Sequence, residues 1–255
     1  MKTSSIGCYL SSDFRSAVVV PCYKEEKRLN PQRYVDGLKD FSSHVFLVDD
    51  GSPDGTLGVL ERLHKSAPDR FSVIKAPHQG KAETVRLGLN TAVDKNFRHV
   101  GFLDADLAVD FKEVPDFLKV FKDKKDVTAV IGTRTRLAGR EIDRSLPKYL
   151  QQRIIAWMGG LLFSPKVQDT QCGAKMFEAK TLGKAIKKPF VTNWLFDQEL
   201  LTRMSRLKEN EGKNWLFELP VKKWTDVANS TRSVGSYASA LKDYFMLVKK
   251  YGFRK

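Results

Sequence analysis

The chain has 255 residues, 42% of them hydrophobic and 29% charged, and 44 Lys and Arg against 30 Asp and Glu leave a formal net charge of +14. One α/β domain, alone or with a small appendage, is the expectation at this length, while three scattered cysteines, Cys8, Cys22 and Cys172, exclude a disulfide framework or a zinc cluster and point to a reducing, cytosolic setting. The charge asks for a polyanionic partner; with no zinc finger, RNP-like aromatic strand or basic heptad region, nucleic acid ranks behind an anionic membrane surface and a phosphorylated substrate.

The first thirty residues hold no long apolar run, which predicts no secretory signal. A strand over 17–21 opens the fold and ends in Pro21-Cys22-Tyr23-Lys24-Glu25, not in a G-x-G-x-x-G turn. Without that turn a backbone does not approach a dinucleotide pyrophosphate, which counts against a nicotinamide or flavin enzyme. A helix near 32–40 leads to a second strand over 45–48 and to Asp49-Asp50-Gly51-Ser52. There Asp50 suits either hydrogen bonds to a base or ribose or the capping of a turn. After a helix near 54–65 and a third strand over 71–76, Gly80-Lys81 opens a helix near 80–95. Free N–H groups and a cation at such a start favour phosphate, although a bare Gly-Lys serves as well as a plain helix start.

The fourth strand, 100–103, runs into Asp104-Ala105-Asp106. Alternate residues of an extended strand share a face, so both carboxylates point the same way where the strand frays. Two hard oxygen ligands so placed suit Mg²⁺ or Mn²⁺, which leaves its other positions to phosphate oxygens and water. An isolated pair would read instead as a solvated acidic turn. A helix near 114–122 and a strand over 127–132 complete the first half. Val-rich strands alternating with helices mark a doubly wound parallel sheet, whose ligands bind beyond the carboxyl ends of the strands. The polar clusters after strands one, two and four therefore converge on one rim.

The second half is less regular. Residues 134–153 carry six basic side chains, Arg134, Arg136, Arg140, Arg144, Lys148 and Arg153, against two acidic ones. They lead into the apolar run 154–163, far short of the roughly 20 residues a spanning helix needs. Ile154, Ile155, Trp157, Met158, Leu161, Leu162 and Phe163 either dip into a membrane interface or pack in the core. Asp169-Thr170-Gln171-Cys172-Gly173 precedes a strand over 174–178, a helix over 196–207, a strand near 216–221 and a last helix over 236–250. In that helix Val234, Tyr237, Leu241, Tyr244, Phe245 and Val248 recur at helical spacing, with Lys242, Lys249 and Lys250 off the stripe. Such a helix lies on an anionic bilayer, docks on the domain, or does both.

The order of the clusters resembles a known family. Val19 to Glu25, Val48 to Thr56, Gly80-Lys81, Leu103 to Leu107, Ile131 to Arg134, Asp169 to Lys175 and Trp194 to Leu201 are similar to the motifs of family 2 glycosyltransferases of the GT-A fold. Within that family the polyprenyl-phosphate (dolichyl-phosphate) hexosyltransferases are most similar, especially the glucosyl branch, over about 17–248. The resemblance implies an α/β GT-A catalytic domain over 17–225, after a lead-in over 1–16 and before an amphipathic basic extension over 226–255. It implies that Pro21, Tyr23, Glu25 and Asp50 line the nucleoside pocket, with Lys81 beside it. Asp104 and Asp106 would hold Mg²⁺ or Mn²⁺ on the sugar-nucleotide diphosphate. Arg134 would meet a lipid phosphate, and Asp169, Gln171 and Asp197 would border the sugar. Two departures stand out: Ala108 replaces the Gln that some members place two residues after the second metal Asp, and Ala82-Glu83 follows Gly-Lys where relatives often continue with Gly.

The implied reaction is an inverting, metal-dependent transfer of a hexose, glucose from UDP-glucose, to a polyprenyl phosphate at the cytoplasmic face of a membrane, held there by the basic surface or by a separate membrane partner. A phosphate monoester, with its second pKa near about 6, is already a dianionic nucleophile and needs no dedicated base. GDP-mannose or a non-lipid acceptor keeps the fold and changes the substrate. An Asp-nucleophile phosphatase would phosphorylate Asp104, but such enzymes usually carry that motif on their first strand. A non-enzymatic basic protein that binds membrane or nucleic acid would explain the charge and not the three acidic clusters.

Overall fold

The computed structural model describes residues 15–39, 42–143, 145–225 and 234–253; Cys8, Arg144, most of the expected lead-in and the side chains of Val234 and Tyr237 lie outside the described residues. The elements run β1 (Ser16–Cys22), α1 (Pro31–Gly37), β2 (His44–Asp50), α2 (Thr56–Ser66), β3 (Phe71–Ala76), α3 (Lys81–Asp94), β4 (His99–Leu103), α4 (Val114–Asp123) and β5 (Ala129–Thr133). They continue with β6 (Glu141–Asp143), α5 (Leu146–Gly159), β7 (Ala174–Glu178), α6 (Ala179–Ala185), α7 (Phe196–Ser205), β8 (Leu216–Pro220), β9 (Lys223–Thr225) and α8 (Val234–Tyr251).

One seven-stranded sheet has the order β3-β2-β1-β4-β7-β5-β8. Its strands are parallel except β7, which runs antiparallel to both β4 and β5. The periodicity of 174–178 marks a strand without fixing its direction, because direction is set by where the chain re-enters the sheet. Both faces are covered: Val18, Val20 and Leu47 join one apolar layer with Phe111 and Phe117, while Val19, Phe46 and Val48 join another with Phe102, Phe177 and Leu200. Alternate residues of one strand thus enter opposite layers, and the strands read as continuous apolar runs for that reason.

Three features differ from the sequence reading or extend it. The basic stretch contains two elements that its composition hides, the short strand β6, paired in parallel with β9, and the helix α5. The apolar run 154–163 divides between core and surface: Ile155 and Ala156 on one face of α5, with Leu162 and Phe163 just after it, are buried, whereas Ile154 is 59% and Trp157 66% exposed. In α8, likewise, Leu247 is fully buried in the second layer and Phe245 is 70% exposed.

His99, at the start of β4, is 5% exposed and packs against Phe121 with ring centroids 4.6 Å apart. Burial, aided by Arg98, pushes its pKa down to about 4 from 6.5. The cation is disfavoured in the fold, so the unfolded chain binds the extra proton first as pH falls. The contribution of His99 is complete above pH 6.5 and is lost progressively toward pH 4. Denaturant titrations across that window are expected to show about 3 kcal/mol of loss that His99→Gln does not show; equal pH dependence in the two proteins would overturn this assignment.

Candidate active site

The strand order reverses beside β1: β2 and β3 lie on one side, β4 on the other. Crossovers leave in opposite directions at such a point and open a crevice beyond the carboxyl ends. Two cavities meet there. One, of about 300 Å³, is lined by Pro21, Tyr23, Glu25, Asp50 and His78. The other, of about 560 Å³, is lined by Arg134, Gln171, Asn193, Trp194, Asp197 and Trp224. Lys81, Asp104 and Asp106 line both.

In the smaller cavity the Tyr23 ring stacks on His78 with centroids 4.2 Å apart. Glu25 is held from behind, its N–H donating to Thr56 Oγ1 at 2.8 Å. Burial raises the pKa of its carboxyl, partly opposed by Arg28. Asp50 is only 2% exposed: Oδ1 accepts from the Gln79 N–H at 2.8 Å, and Oδ2 from the Gly80 N–H at 3.0 Å and pairs with His78 Nδ1 at 2.9 Å. This carboxylate ties the loop before α3 in place, the turn role among its two readings, while it also lines the smaller cavity. Gly80 makes that loop possible, since its φ of +88° is a conformation side-chain-bearing residues rarely adopt.

At the junction the period-two pattern holds past the end of β4. Ala105 and Leu107 turn into the core, 6% and 2% exposed, while Asp104 and Asp106 turn into the crevice. Tyr34 Oη donates to the Ala105 carbonyl at 2.7 Å, and Arg33 Nη2 to the Leu107 carbonyl at 2.9 Å, which pins the turn. Asp104 Oδ1 meets Lys81 Nζ at 2.6 Å, and Asp106 Oδ2 lies 3.6 Å from Arg28 Nη2. Gly173 faces Asp104 so closely that a Cβ there would sit 2.2 Å from Oδ2, so any side chain at this position would push the carboxylate from its place.

Burial, and then the neighbouring Asp104, raise the pKa of the Asp106 carboxyl. A divalent cation between the two would relieve that repulsion, and hard oxygen donors match Mg²⁺ or Mn²⁺. Among the described residues no group of three or more His, Cys, Asp or Glu is placed to hold a metal. The donor set therefore fits an ion that completes its shell with substrate oxygens and water, as Ala108 in place of a third ligand implies.

In the larger cavity Arg134 is 4% exposed and forks onto the fully buried Asp169, Nε to Oδ2 at 2.7 Å and Nη2 to Oδ1 at 2.8 Å. Asp169 lies beneath Arg134, which corrects its expected place on the wall beside a sugar. Gln171 and Asp197 do reach that wall. Asp197 pairs with the buried Lys175 at 2.6 Å. Burial raises the pKa of its carboxyl, opposed by Lys175 and Lys81. Lys175 also donates to the Cys172 carbonyl at 2.6 Å and lies over the Phe102 ring. The alternation of 174–178, with Ala174 and Met176 on the other face, was the available signal for this inward lysine.

The last helix belongs to the site. Asp243 Oδ2 accepts from the N–H groups of Asn193, Trp194 and Leu195 at 3.2, 2.7 and 3.0 Å, organising the loop that lines the larger cavity. Lys148 of α5 and Lys242 of α8 line the same cavity. Nothing local in the sequence identifies Asp243, because its partners lie some fifty residues away.

The sequence model described as Glycosyl transferase family 2 matches residues 17–182. A dolichyl-phosphate beta-glucosyltransferase of Drosophila melanogaster is 28% identical over 258 residues, covering 94% of this chain and 76% of that protein. The Homo sapiens protein of the same name is 29% identical over 201 residues, covering 72% of this chain and 61% of the human one, so the chain spans less than two thirds of that relative. Among solved structures, glucosyl-3-phosphoglycerate synthase from Mycobacterium tuberculosis, in complex with Mn²⁺, UDP and glucosyl-3-phosphoglycerate, superposes with a TM-score of 0.63 at 15% identity. That match covers 96% of this chain and 82% of the synthase, and it shows a common fold.

Proposed function

The chain belongs to glycosyl transferase family 2 and has the GT-A fold, and from that premise we propose that it transfers glucose from UDP-glucose to the phosphate of a dolichyl-type polyprenyl lipid, with Mg²⁺ or Mn²⁺, at the cytoplasmic face of a membrane. The observation that carries this reading is the meeting of the two cavities at Lys81, Asp104 and Asp106. A nucleoside has a stacking wall in Tyr23 and His78, and its diphosphate then lies over the carboxylate pair. The sugar projects into the larger cavity toward Asp197, opposite the entry lined by Lys148 and Lys242. A metal held by Asp104 and Asp106 would stabilise the charge that builds on the departing diphosphate. The chain's own residues do the positioning: Asp50 and Asp243 fix the loops on either side, Lys175 holds Asp197 toward the sugar, and the basic side chains draw in a dianionic acceptor. Attack from the side facing away from the diphosphate inverts the anomeric centre. The names of the curated relatives support the sugar and the lipid acceptor, and the UDP and Mn²⁺ named with the mycobacterial synthase support the donor and the metal.

A bilayer bearing anionic lipid is the surface this reading requires, and one face of the protein suits it. On α5 the side chains of Leu146, Leu150, Ile154 and Trp157 form an exposed stripe, and Leu241 and Phe245 continue it on α8. Tyr244 Oη donates to the Met158 carbonyl at 3.3 Å and joins the two helices. Apolar side chains bordered by lysines, beside the mouth of the larger cavity, match an interfacial helix pair. Among the described residues no helix is long and apolar enough to cross a membrane.

The test is UDP release from UDP-glucose with polyprenyl phosphate presented in anionic vesicles. Turnover is expected to require the lipid phosphate and to stop with a chelator. Trp157→Glu is expected to slow turnover on vesicles about tenfold while sparing a short, water-soluble polyprenyl phosphate. Indifference to the lipid phosphate, or preference for GDP-mannose, would sink the proposal.

A further inference from the structure

We propose that Arg28 and Lys81 are built-in counter-ions of the Asp104 and Asp106 pair, which compete with the metal for the two carboxylates and turn to the donor diphosphate once the metal is bound. The first half of this rests on the carboxylate pair alone; the second rests on the donor reading above.

Each carboxylate of the pair has its own cation. Lys81 Nζ, at the start of α3, touches Asp104 Oδ1 at 2.6 Å. Arg28 comes from the loop after β1, with Nη1 3.5 Å from Glu25 Oε1 and Nη2 3.6 Å from Asp106 Oδ2. Both distances exceed the roughly 2.7–2.9 Å of a charge-assisted hydrogen bond. The guanidinium is therefore held between two carboxylates by long contacts, its fork not committed to a short bidentate pair. Its side chain is 36% exposed and lines the smaller cavity, whose far end carries the Tyr23 and His78 stack. A diphosphate running from that stack to the carboxylates passes within the arginine's reach.

Charge conservation argues for an exchange. Without metal, Asp104, Asp106 and Glu25 face Lys81 and Arg28, three carboxylates to two side-chain cations. When a divalent ion takes Asp104 and Asp106, it supplies their two positive charges, frees Lys81 from Asp104 and leaves Arg28 with Glu25 alone. The diphosphate diester brings two negative charges to the same place, and an uncommitted fork suits phosphate oxygens. With metal and diphosphate together the site carries the same charge as it does empty, whereas metal alone shifts it by two positive charges. Metal and nucleotide should therefore bind together far better than metal by itself.

Removal of one cation thus has effects of opposite sign on the two ligands, which a merely structural role would not give. In nucleotide-free protein titrated with Mn²⁺ and read by the electron-paramagnetic signal of the free ion, Arg28→Gln is expected to bind Mn²⁺ about tenfold tighter, and Arg28→Lys about as the natural protein does. At saturating Mn²⁺, calorimetry is expected to find UDP bound about tenfold more weakly by Arg28→Gln, with uridine unchanged. Unchanged or weaker Mn²⁺ binding by Arg28→Gln would overturn the counter-ion role. Equal losses for UDP and uridine would overturn the transfer to the diphosphate. If the natural protein binds GDP and not UDP, the donor reading fails, and GDP against guanosine makes the same comparison.

Discussion

Asp106→Asn is expected to lower turnover by about 10²–10³-fold or more and to erase any rise in melting temperature that UDP gives in the presence of Mn²⁺. The substitution keeps an oxygen to accept from the Ala108 N–H, as Asp106 Oδ1 does at 3.0 Å, so the turn after β4 survives. It removes one of the two charges that attract a divalent ion. It also removes a carboxyl whose pKa is raised by burial and by Asp104. A raised carboxyl holds its proton better in the fold than in the unfolded chain, so its ionisation costs stability as pH rises through the folded value. The metal-free variant should therefore melt at the same temperature as the natural protein, or higher, at neutral pH. Loss of activity with gain of metal-free stability marks a charge kept for function. A variant that retains its turnover, or that unfolds without metal, would remove Asp106 from the metal site.

The second large effect is on stability. Arg134→Met is expected to cost about 3–5 kcal/mol, because it leaves the Asp169 carboxylate buried without its counter-ion. For a chain of this size that is a fall in melting temperature on the order of 10 °C. Burial alone would lower the pKa of Arg134, but Asp169 carries it above the ordinary arginine range. The guanidinium therefore stays charged wherever the protein is folded. The double variant Arg134→Met, Asp169→Leu is expected to recover most of the loss, since two apolar side chains remove both charges at once. Turnover should stay low in both, as Arg134 lines the larger cavity and anchors its wall. If the single variant melts within 2 °C or so of the natural protein, the charge is solvated and the bidentate pair does not carry the wall.

Much of the frame was legible because its signals are local. Continuous apolar runs at 45–48 and 100–103 identify strands covered on both faces, and the structure places β2 and β4 there with ends moved by at most two residues, with β3 at the expected 71–76 on the sheet edge. What escaped was short or masked by charge. The strand β6 is three residues long, and the exposed apolar stripe of α5 is interleaved with Lys148 and Arg153, so composition read that region as a basic stretch. At the site, Asp104 and Asp106 announce themselves because strand alternation continues into the turn. Arg28, His78, Lys175 and Asp243 do not, since each acquires meaning only from a partner brought to it by the fold.

Family, sheet class and the rim on which the polar clusters meet are properties the sequence determined by itself, because they depend on the order of short motifs and on the period of apolar residues. The tertiary structure alone decided how the carboxylates divide the work. Asp50 and Asp169 look like ligand contacts in sequence, yet each spends its oxygens inside the protein, one on the Gln79 and Gly80 N–H groups and one on Arg134. Asp104, Asp106 and Asp197 turn toward the crevice instead. A carboxylate's task is set by which donors reach it first, and in this chain those donors come from strands and loops far apart in sequence.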